Sequence, residues 1–254
     1  MVYYVAYKAP GELKDRSQIV RRLRALGCTQ IRRSFWQLDK EELGAAIKLL
    51  QSNFTVILKR TREIRKPIFT AEGTCSEPGS LVVVAYKIPE QGKKGIVKNL
   101  LKRAPCIRLC RGVYAFPQRP EHFGRSGPLV DARNFWEHIR EVDENAVMVP
   151  RVIVVNNQVI ETLLAEAKSR IEREVCSIIM GYKVLFQKVK RDEVDRQRAV
   201  RMMRKLRRRF LNAKRVASFY ENWLRIDLSN VLIRPYPAVR EVRSVLSERY
   251  GTVR

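Results

Sequence analysis

The chain contains one stretch of sequence twice, and this duplication limits its possible folds more than any other feature. The hexapeptide VAYKAP at residues 5–10 returns as VAYKIP at residues 84–89. Because both copies must suit one order of helices and strands, we expect two related domains. The copies stay 77 to 79 residues apart through two further matches, residues 19–23 (IVRRL) with 96–100 (IVKNL) and residues 33–38 (RSFWQL) with 111–116 (RGVYAF).

Hydrophobic patterning predicts the same elements in each copy. In the first copy we expect a strand at residues 3–7, a helix around Ile19 and Leu23, a strand at 31–38, a helix at 41–51 and a strand at 54–58. In the second copy the corresponding segments are a strand at 81–86, a helix at 94–103, a strand at 107–116, a helix at 129–141 and a strand at 146–155. This order, with room for a further strand near Gln37, predicts a ferredoxin-like, split β-α-β unit in each copy.

Beyond residue 156 the pattern becomes helical. Apolar residues recur at helical spacing from Ile160 to Leu185, and a second series from Ala199 to Leu224 alternates spacings of four and three, as in a heptad seam. Two such helices most simply pack as a hairpin, and a short helix is expected at residues 239–250. The sequence thus predicts an α+β protein with a ferredoxin-like repeat at 1–66, a linker at 67–80, a second repeat at 81–155, and a basic helical hairpin with a tail at 156–254.

The net charge indicates the class of partner. Lys and Arg number 51 against 26 Asp and Glu, which gives a net charge of +25. A protein this basic usually works against a polyanion, and nucleic acid is favoured over a membrane surface because no apolar run is long enough to span one. Residues 183–215 alone carry a net +11. Like charges at helical spacing repel each other, so we expect this face to lie against phosphates, with a merely solvated face as the alternative.

Basic side chains also recur in both copies, on the first helix and beside the strand aromatics. Duplicated in this way, they would form two similar patches related by a pseudo-two-fold axis, and the backbone of a DNA duplex has that symmetry. A lysine follows the first strand of each copy and can contact a phosphate. The candidate nucleic-acid-binding residues are Lys8, Arg21, Arg22, Arg24, Arg32, Arg33, Lys87, Lys94, Lys98, Lys102, Arg103, Arg108, Arg111, Arg204, Lys205, Arg207, Arg208 and Arg209.

Two short motifs carry a resemblance to known families. Tyr7-Lys8 and Tyr86-Lys87 end a first strand, a basic helix follows, and an aromatic strand comes later, as in the segment Gly112-Val113-Tyr114. Over about the first 155 residues the chain resembles the small ferredoxin-fold protein of CRISPR adaptation, the partner of the CRISPR integrase. From about residue 81 it is also similar to the N-terminal region of the chromate-resistance regulator family, whose basic helix resembles residues 204–210. Both resemblances imply a prokaryotic ferredoxin-like protein used in dimers around DNA.

The first resemblance also bears on catalysis. Some members of the CRISPR family are described as nucleases, and the family's metal-binding acid follows the first strand, where this chain has Lys8 and Lys87. Lysine cannot coordinate Mg²⁺ and repels it. We therefore expect no catalytic activity, no metal and no cofactor. A degenerate metal-dependent nuclease that takes an acid from elsewhere, such as Asp39, is the alternative, although Asp39 has the position of a turn residue.

The cysteines indicate a compartment. The chain has five of them, an odd number, and a protein of this size needs no disulfide staples, so we expect free thiols in a reducing cytoplasm. Cys106 and Cys110 have no partners at zinc-ligand spacing. The resulting hypothesis is a cytoplasmic, nucleoid-associated protein that binds double-stranded DNA through phosphates with weak sequence preference. Its repeats would form an intramolecular pseudo-dimer. An RNA- or ribosome-associated protein, or a scaffold with a protein partner, is the alternative.

Overall fold

The computed structural model describes residues 1–87, 93–118 and 129–251, without the side chains of Leu13 and Lys14. The chain divides into two compact units. The first, here called the sheet unit, comprises Met1–Ala167 and Trp223–Arg225. The second, here called the helical unit, comprises Lys168–Asn222 and the residues from Ile226 onwards. The sequence-based expectation of an α+β chain with a helical C-terminal region is confirmed.

In the sheet unit, one order of elements occurs twice. The first series is β1 (Tyr3–Tyr7), α1 (Leu13–Ala25), β2 (Thr29–Arg32), β3 (Phe35–Leu38), α2 (Lys40–Leu50) and β4 (Thr55–Arg60). The second series is β7 (Leu81–Ala85), α3 (Lys94–Leu101), β8 (Ile107–Cys110), β9 (Val113–Pro117), α4 (Ala132–Arg140) and β10 (Val147–Val154). Between them, the segment expected to be a linker contains a small hairpin of β5 (Ile68–Phe69) and β6 (Cys75–Glu77).

Eight strands form one antiparallel sheet in the order β2-β3-β1-β4-β10-β7-β9-β8. The two series meet at β4 and β10, where Leu58 lies opposite Val154. The single strands predicted at 31–38 and 107–116 were wrong, because each is a hairpin of two strands. In the second, Cys110 pairs with Val113 across a turn in which Gly112 takes a φ of 78°, a left-handed conformation that glycine adopts easily.

The sheet is buried on both faces, which explains its nearly continuous apolar strands. In the first half, α1 and α2 cover Val5, Tyr7 and Trp36. In the second half, α3 and α4 cover Val82, Val84 and Phe116 through Val97 and Phe135. The other face is buried too. Its buried residues include Tyr4, Ala6, Phe35, Leu81, Val83 and Ala85.

The two ends of the sheet approach each other. The Cys110 thiol of β8 donates a hydrogen bond to the backbone carbonyl oxygen of Ser34, which follows β2, at 3.6 Å. Arg32 of β2 lies 3.5 Å from Asp143, which lies between α4 and β10. Because β2 and β8 are the outermost strands, these contacts mean that the sheet curls until its edges are close together.

In the helical unit, three helices share one apolar cluster. Helix α5 (Ile160–Lys190) follows a 3-10 turn at Asn157–Val159, and α6 (Arg196–Leu224), α7 (Ser229–Ile233) and α8 (Tyr236–Tyr250) come after it. The cluster takes Tyr182 from α5, Leu206 from α6 and Val242 from α8, so the predicted hairpin is joined by the final helix. At Gly181 of α5 a Cβ atom would lie 2.5 Å from Leu206 Cδ2, so the glycine allows α6 to pack closely.

Candidate nucleic-acid interface

Helix α6 has a strongly basic outer face. It carries ten basic residues and one acid, Glu221. Arg201, Arg204, Arg208 and Arg215 are exposed and spaced three, four and seven residues apart, so they share one face of the helix. The buried seam occupies the opposite side, with Ala199, Leu206, Phe210, Ala213 and Ala217 as its members.

The charge of this face is not neutralised by any acidic side chain in the part of the chain that the structure describes. Arg204, Lys205, Arg207 and Arg208 are exposed, and among the described residues none of them forms an ion pair with an acidic side chain. Arg204 and Arg208 are four residues apart, a spacing at which like charges destabilise a helix. We call these four residues the α6 basic face. Their mutual repulsion would be relieved by an external anion.

Arg209 differs from its neighbours, although the sequence placed it in the same run. Its Nη2 atom lies 2.9 Å from Glu174 Oε1 of α5 and donates a hydrogen bond to Ser177 Oγ at 2.9 Å. The side chain is 24% exposed. Arg209 therefore holds α6 against α5, and the structure separates it from the α6 basic face. Arg209 adjoins the seam residue Phe210, but Lys205 and Arg207 likewise adjoin the seam residue Leu206 and are exposed, so adjacency to the seam does not identify Arg209 in the sequence.

A cleft beside α1 brings together three of the predicted residues, Arg21, Arg24 and Arg33. It has a volume of about 370 Å³, and its other lining residues are Arg16, Ser17 and Val20. Arg33 enters from the turn between β2 and β3. Arg16 was missed by the sequence analysis, although Arg16, Val20 and Arg24 recur every four residues and so share one face of α1. We call this site the α1 cleft.

Arg22 lies apart from the α1 cleft. It lines a second depression, on the side of α1 that meets α2, together with Asp15 and Asn53. Its immediate sequence neighbour Arg21 lines the cleft instead. The run of basic residues on α1 therefore divides between two sides of the helix.

The second copy presents a different basic surface. Lys94 and Lys98 are exposed on α3, Arg103 is exposed and Lys102 half-buried after its end, and Arg111 is exposed in the turn between β8 and β9. At the position that corresponds to Arg24, the second copy has Leu101, which packs against the apolar cluster under α3 and α4. The two copies thus carry basic patches of unequal composition.

The remaining predicted residues make contacts within the sheet unit. Lys8 is exposed, with Nζ 4.6 Å from the centre of the Phe54 ring. Lys87 is exposed as well, and its backbone N–H donates a hydrogen bond to Asp143 Oδ2 at 2.7 Å. Arg32 pairs with the same carboxylate, and Arg108 Nε donates to the Cys110 carbonyl oxygen at 3.4 Å. Arg32 therefore joins the two halves of the sheet rather than presenting a free cation.

Asp39 is engaged in a helix cap, and two of the cysteines are buried thiols. Asp39 precedes α2, and its backbone N–H donates to Glu42 Oε2 at 2.6 Å, so this residue serves as a helix cap. Burial raises the pKa of the Cys75 thiol to about 11 and that of Cys110 to about 12, which keeps both protonated at neutral pH. Among the described residues, no group of three or more His, Cys, Asp or Glu side chains is placed to bind a metal ion.

Comparisons with known proteins add no relative to this picture. No family model matches the chain, and neither the curated proteins nor the solved structures contain a match. Across the helices of the described residues, length and hydropathy together fall short of what a membrane-crossing segment requires. Any functional assignment therefore rests on the site itself.

Proposed function

We propose that the protein binds double-stranded DNA through phosphate contacts, with weak sequence preference and without cleaving it. The observation that carries this proposal is the α6 basic face, four exposed cations without an acidic partner among the described residues. A helix that keeps such a face without internal compensation is stabilised when phosphates lie against it. This makes the helical unit the principal binding surface.

The geometry of α6 suits a nucleic-acid backbone. From Arg201 to Arg215 the outer face extends about 21 Å, at a rise of about 1.5 Å per residue. Duplex DNA carries a negative charge for about every 1.7 Å of its axis, so a face of this length meets several phosphates at once. Arginine guanidinium groups bind phosphate oxygens in pairs, and contacts of this kind position a protein on DNA without reading bases. Weak sequence preference follows from this mode of binding.

We infer further that each half of the sheet unit is a ferredoxin-like domain and that the two form an intramolecular pseudo-dimer. Each half has the order strand-helix-strand-strand-helix-strand, and the strand order β4-β1-β3-β2 in the first half is repeated as β10-β7-β9-β8 in the second. The pairing of β4 with β10 supports the pseudo-dimer. These features favour kinship with the small CRISPR-adaptation family and a cytoplasmic, nucleoid-associated protein.

The lysines after β1 and β7 support a role without catalysis. Lys8 and Lys87 stand exposed where the resembling family has its metal-binding acid. A cation at that position repels Mg²⁺ and attracts phosphate. Purified protein should therefore leave labelled DNA and RNA intact in the presence of Mg²⁺ or Mn²⁺. Cleavage that disappears when one acidic residue is replaced would establish the degenerate nuclease instead.

An electrophoretic shift panel tests the binding proposal. Duplex DNA, single-stranded DNA and structured RNA of equal length are each titrated with the protein at about 0.1 M salt. We expect the duplex to bind most tightly, and unrelated duplex sequences to bind within about threefold of each other, since phosphate contacts are independent of sequence. Tightest binding to structured RNA would indicate the RNA- or ribosome-associated alternative. Failure to bind any of the three would contradict the proposal and favour a scaffold for a protein partner.

A further inference from the structure

We propose that the α1 cleft binds a phosphate monoester, the group found at the 5′ end of a nucleic-acid strand and on a free nucleotide. Only the choice of a strand end as the source of this phosphate group rests on the proposed function. The cleft is a separate site from the α6 basic face, since it belongs to the sheet unit and is lined by residues of α1 and the turn after β2.

Two of the four arginines are held in place by the protein. Arg24 Nη2 donates a hydrogen bond to Gln30 Oε1 at 2.8 Å, and Arg16 Nε donates to the Pro10 carbonyl oxygen at 2.5 Å. Neither partner carries a formal charge, so both guanidinium groups keep their full charge for a ligand. Arg21 and Arg33 are the other two arginines of the lining, and neither is paired with an acidic side chain among the described residues. The cleft therefore gathers four arginine side chains, two of which are fixed in position by hydrogen bonds.

The shape and charge of the cleft favour a monoester over a backbone phosphate. A backbone diester carries one negative charge and continues as a chain on both sides, which suits an open face such as α6. A monoester carries up to two charges, has a single ester link and leaves three oxygens free, so it can enter a concave site and meet several guanidinium forks. A volume of about 370 Å³ leaves room for this group and part of the attached nucleoside.

The duplication supports a single site of this kind. In the second copy, Leu101 replaces Arg24 and packs inward, and Lys93 stands at the position of Arg16. The arginine in the turn is kept as Arg111, which is exposed. The second copy thus retains basic side chains that can meet a backbone but lacks both of the anchored arginines of the cleft.

Binding to two duplexes that differ only at their ends tests the proposal. Blunt duplexes of one sequence, with either 5′-phosphate or 5′-hydroxyl ends and a 3′ label, are compared by fluorescence anisotropy at about 0.1 M salt. We expect about a tenfold preference for the phosphorylated duplex, which corresponds to one or two hydrogen bonds between charged groups. The double variant Arg21→Gln, Arg33→Gln should abolish the preference. The control variant Lys40→Gln, Lys48→Gln removes two exposed cations of α2 that lie outside the cleft and should retain the preference.

A calorimetric titration with adenosine monophosphate and with inorganic phosphate identifies the source of the group. A free nucleotide is the ligand if the parent protein shows no preference between the duplexes but binds a small ligand saturably. In that case the Arg21→Gln, Arg33→Gln variant should bind the small ligand at least tenfold more weakly. Equal affinity for both duplexes together with no saturable binding of either small ligand overturns the proposal, as does a preference that survives in the cleft variant. Failure of both duplexes to bind contradicts the proposed function, while the calorimetric arm still decides whether the cleft takes a monoester.

Discussion

The basic side chains of the sheet unit and those of the α6 basic face are used differently. In the sheet unit, Arg32 pairs with Asp143, Arg24 bonds to Gln30 and Lys8 lies over the Phe54 ring. On α6, the four residues of the α6 basic face are exposed cations that no described acid neutralises. Arg209 shows that the boundary between the two uses can fall between adjacent residues, because it faces α5 while Arg208 faces outward.

This difference shows that position relative to the core decides the role of a charge. A cation beside an apolar seam reaches a partner on the neighbouring helix and contributes to stability. A cation opposite the seam has only solvent or an external ligand within reach. Replacing residues of the two kinds should therefore separate effects on DNA binding from effects on folding.

Removal of the α6 basic face should give the largest effect. We expect the variant Arg204→Gln, Lys205→Gln, Arg207→Gln, Arg208→Gln to lose on the order of a thousandfold in duplex affinity at about 0.1 M salt, because four counterion-releasing contacts disappear. Glutamine keeps the helix propensity, so the melting temperature should stay close to that of the parent. Anisotropy and thermal unfolding measure the two quantities.

A variant with the same loss of charge elsewhere provides the control. The substitutions Lys40→Gln, Lys48→Gln, Arg133→Gln and Arg140→Gln remove four exposed cations from α2 and α4. Their effect on affinity should stay below about tenfold, since only long-range attraction weakens. If both variants lost the same affinity, binding would depend on net charge rather than on the α6 basic face.

Replacement of Asp143 should destabilise the sheet unit. Its carboxylate accepts the Lys87 backbone N–H and pairs with the half-buried Arg32. Asp143→Ala leaves both groups without this partner, so we expect a loss of about 2 kcal/mol in the free energy of unfolding. Urea denaturation measures the change. Glu144→Ala, which removes an exposed acid next to it, should change stability by less than about 0.5 kcal/mol, and equal effects of the two substitutions would contradict a joining role for Asp143.

The adjacent pair Arg208 and Arg209 allows the sharpest separation. Arg209→Gln should lower the free energy of unfolding by about 1 kcal/mol, since the ion pair with Glu174 is partly exposed, and should change duplex affinity by no more than about twofold. Arg208→Gln should do the reverse, with unchanged stability and an affinity reduced about eightfold at 0.1 M salt. If Arg209→Gln weakened binding more than Arg208→Gln, the phosphate contacts would lie on the side of α6 that faces α5, which would contradict the assignment to the α6 basic face.

The cysteines of the sheet unit and of the helical unit also differ, in their exposure to solvent, and this difference should have the smallest effect on function. Cys28, Cys75, Cys106 and Cys110 of the sheet unit are buried, and Cys176 of the helical unit is exposed. Burial raises the pKa of Cys75 to about 11 and of Cys110 to about 12, so their thiolate fractions at pH 8 are very small. A thiol-reactive chromogenic disulfide should label one thiol quickly in the native protein and five in denaturant. Rapid labelling of several thiols in the native state would contradict this burial.

The apolar periodicities predicted the main elements, and the structure confirms an α+β chain with a large sheet and a helical C-terminal region. Short turns were harder to predict. The pair Arg33-Ser34 has no glycine or asparagine to indicate that the chain reverses there, so a single strand was predicted where the first hairpin lies. The β5–β6 hairpin was missed because its strands have only two and three residues. Such short strands give no measurable period.

The candidate site shows the same limit. Spacing along α6 predicted an exposed basic face, because heptad positions assign each residue to the seam or to solvent. It did not show that Arg209 pairs with Glu174, since that contact depends on the register between α5 and α6. Similarly, Arg16 and Arg33 are seventeen residues apart in sequence and share the α1 cleft only because β2 folds back beside α1.

The salt dependence of duplex binding is the most direct test of the central claim that the α6 basic face contacts phosphates. The logarithm of the binding constant is measured against the logarithm of the salt concentration for the parent protein and for the variant with four glutamines. Each phosphate contact contributes about 0.9 to the slope on duplex DNA, so the slope of the variant should be shallower by about 3.6. An unchanged slope in the folded variant would contradict the claim and assign DNA binding to the sheet unit.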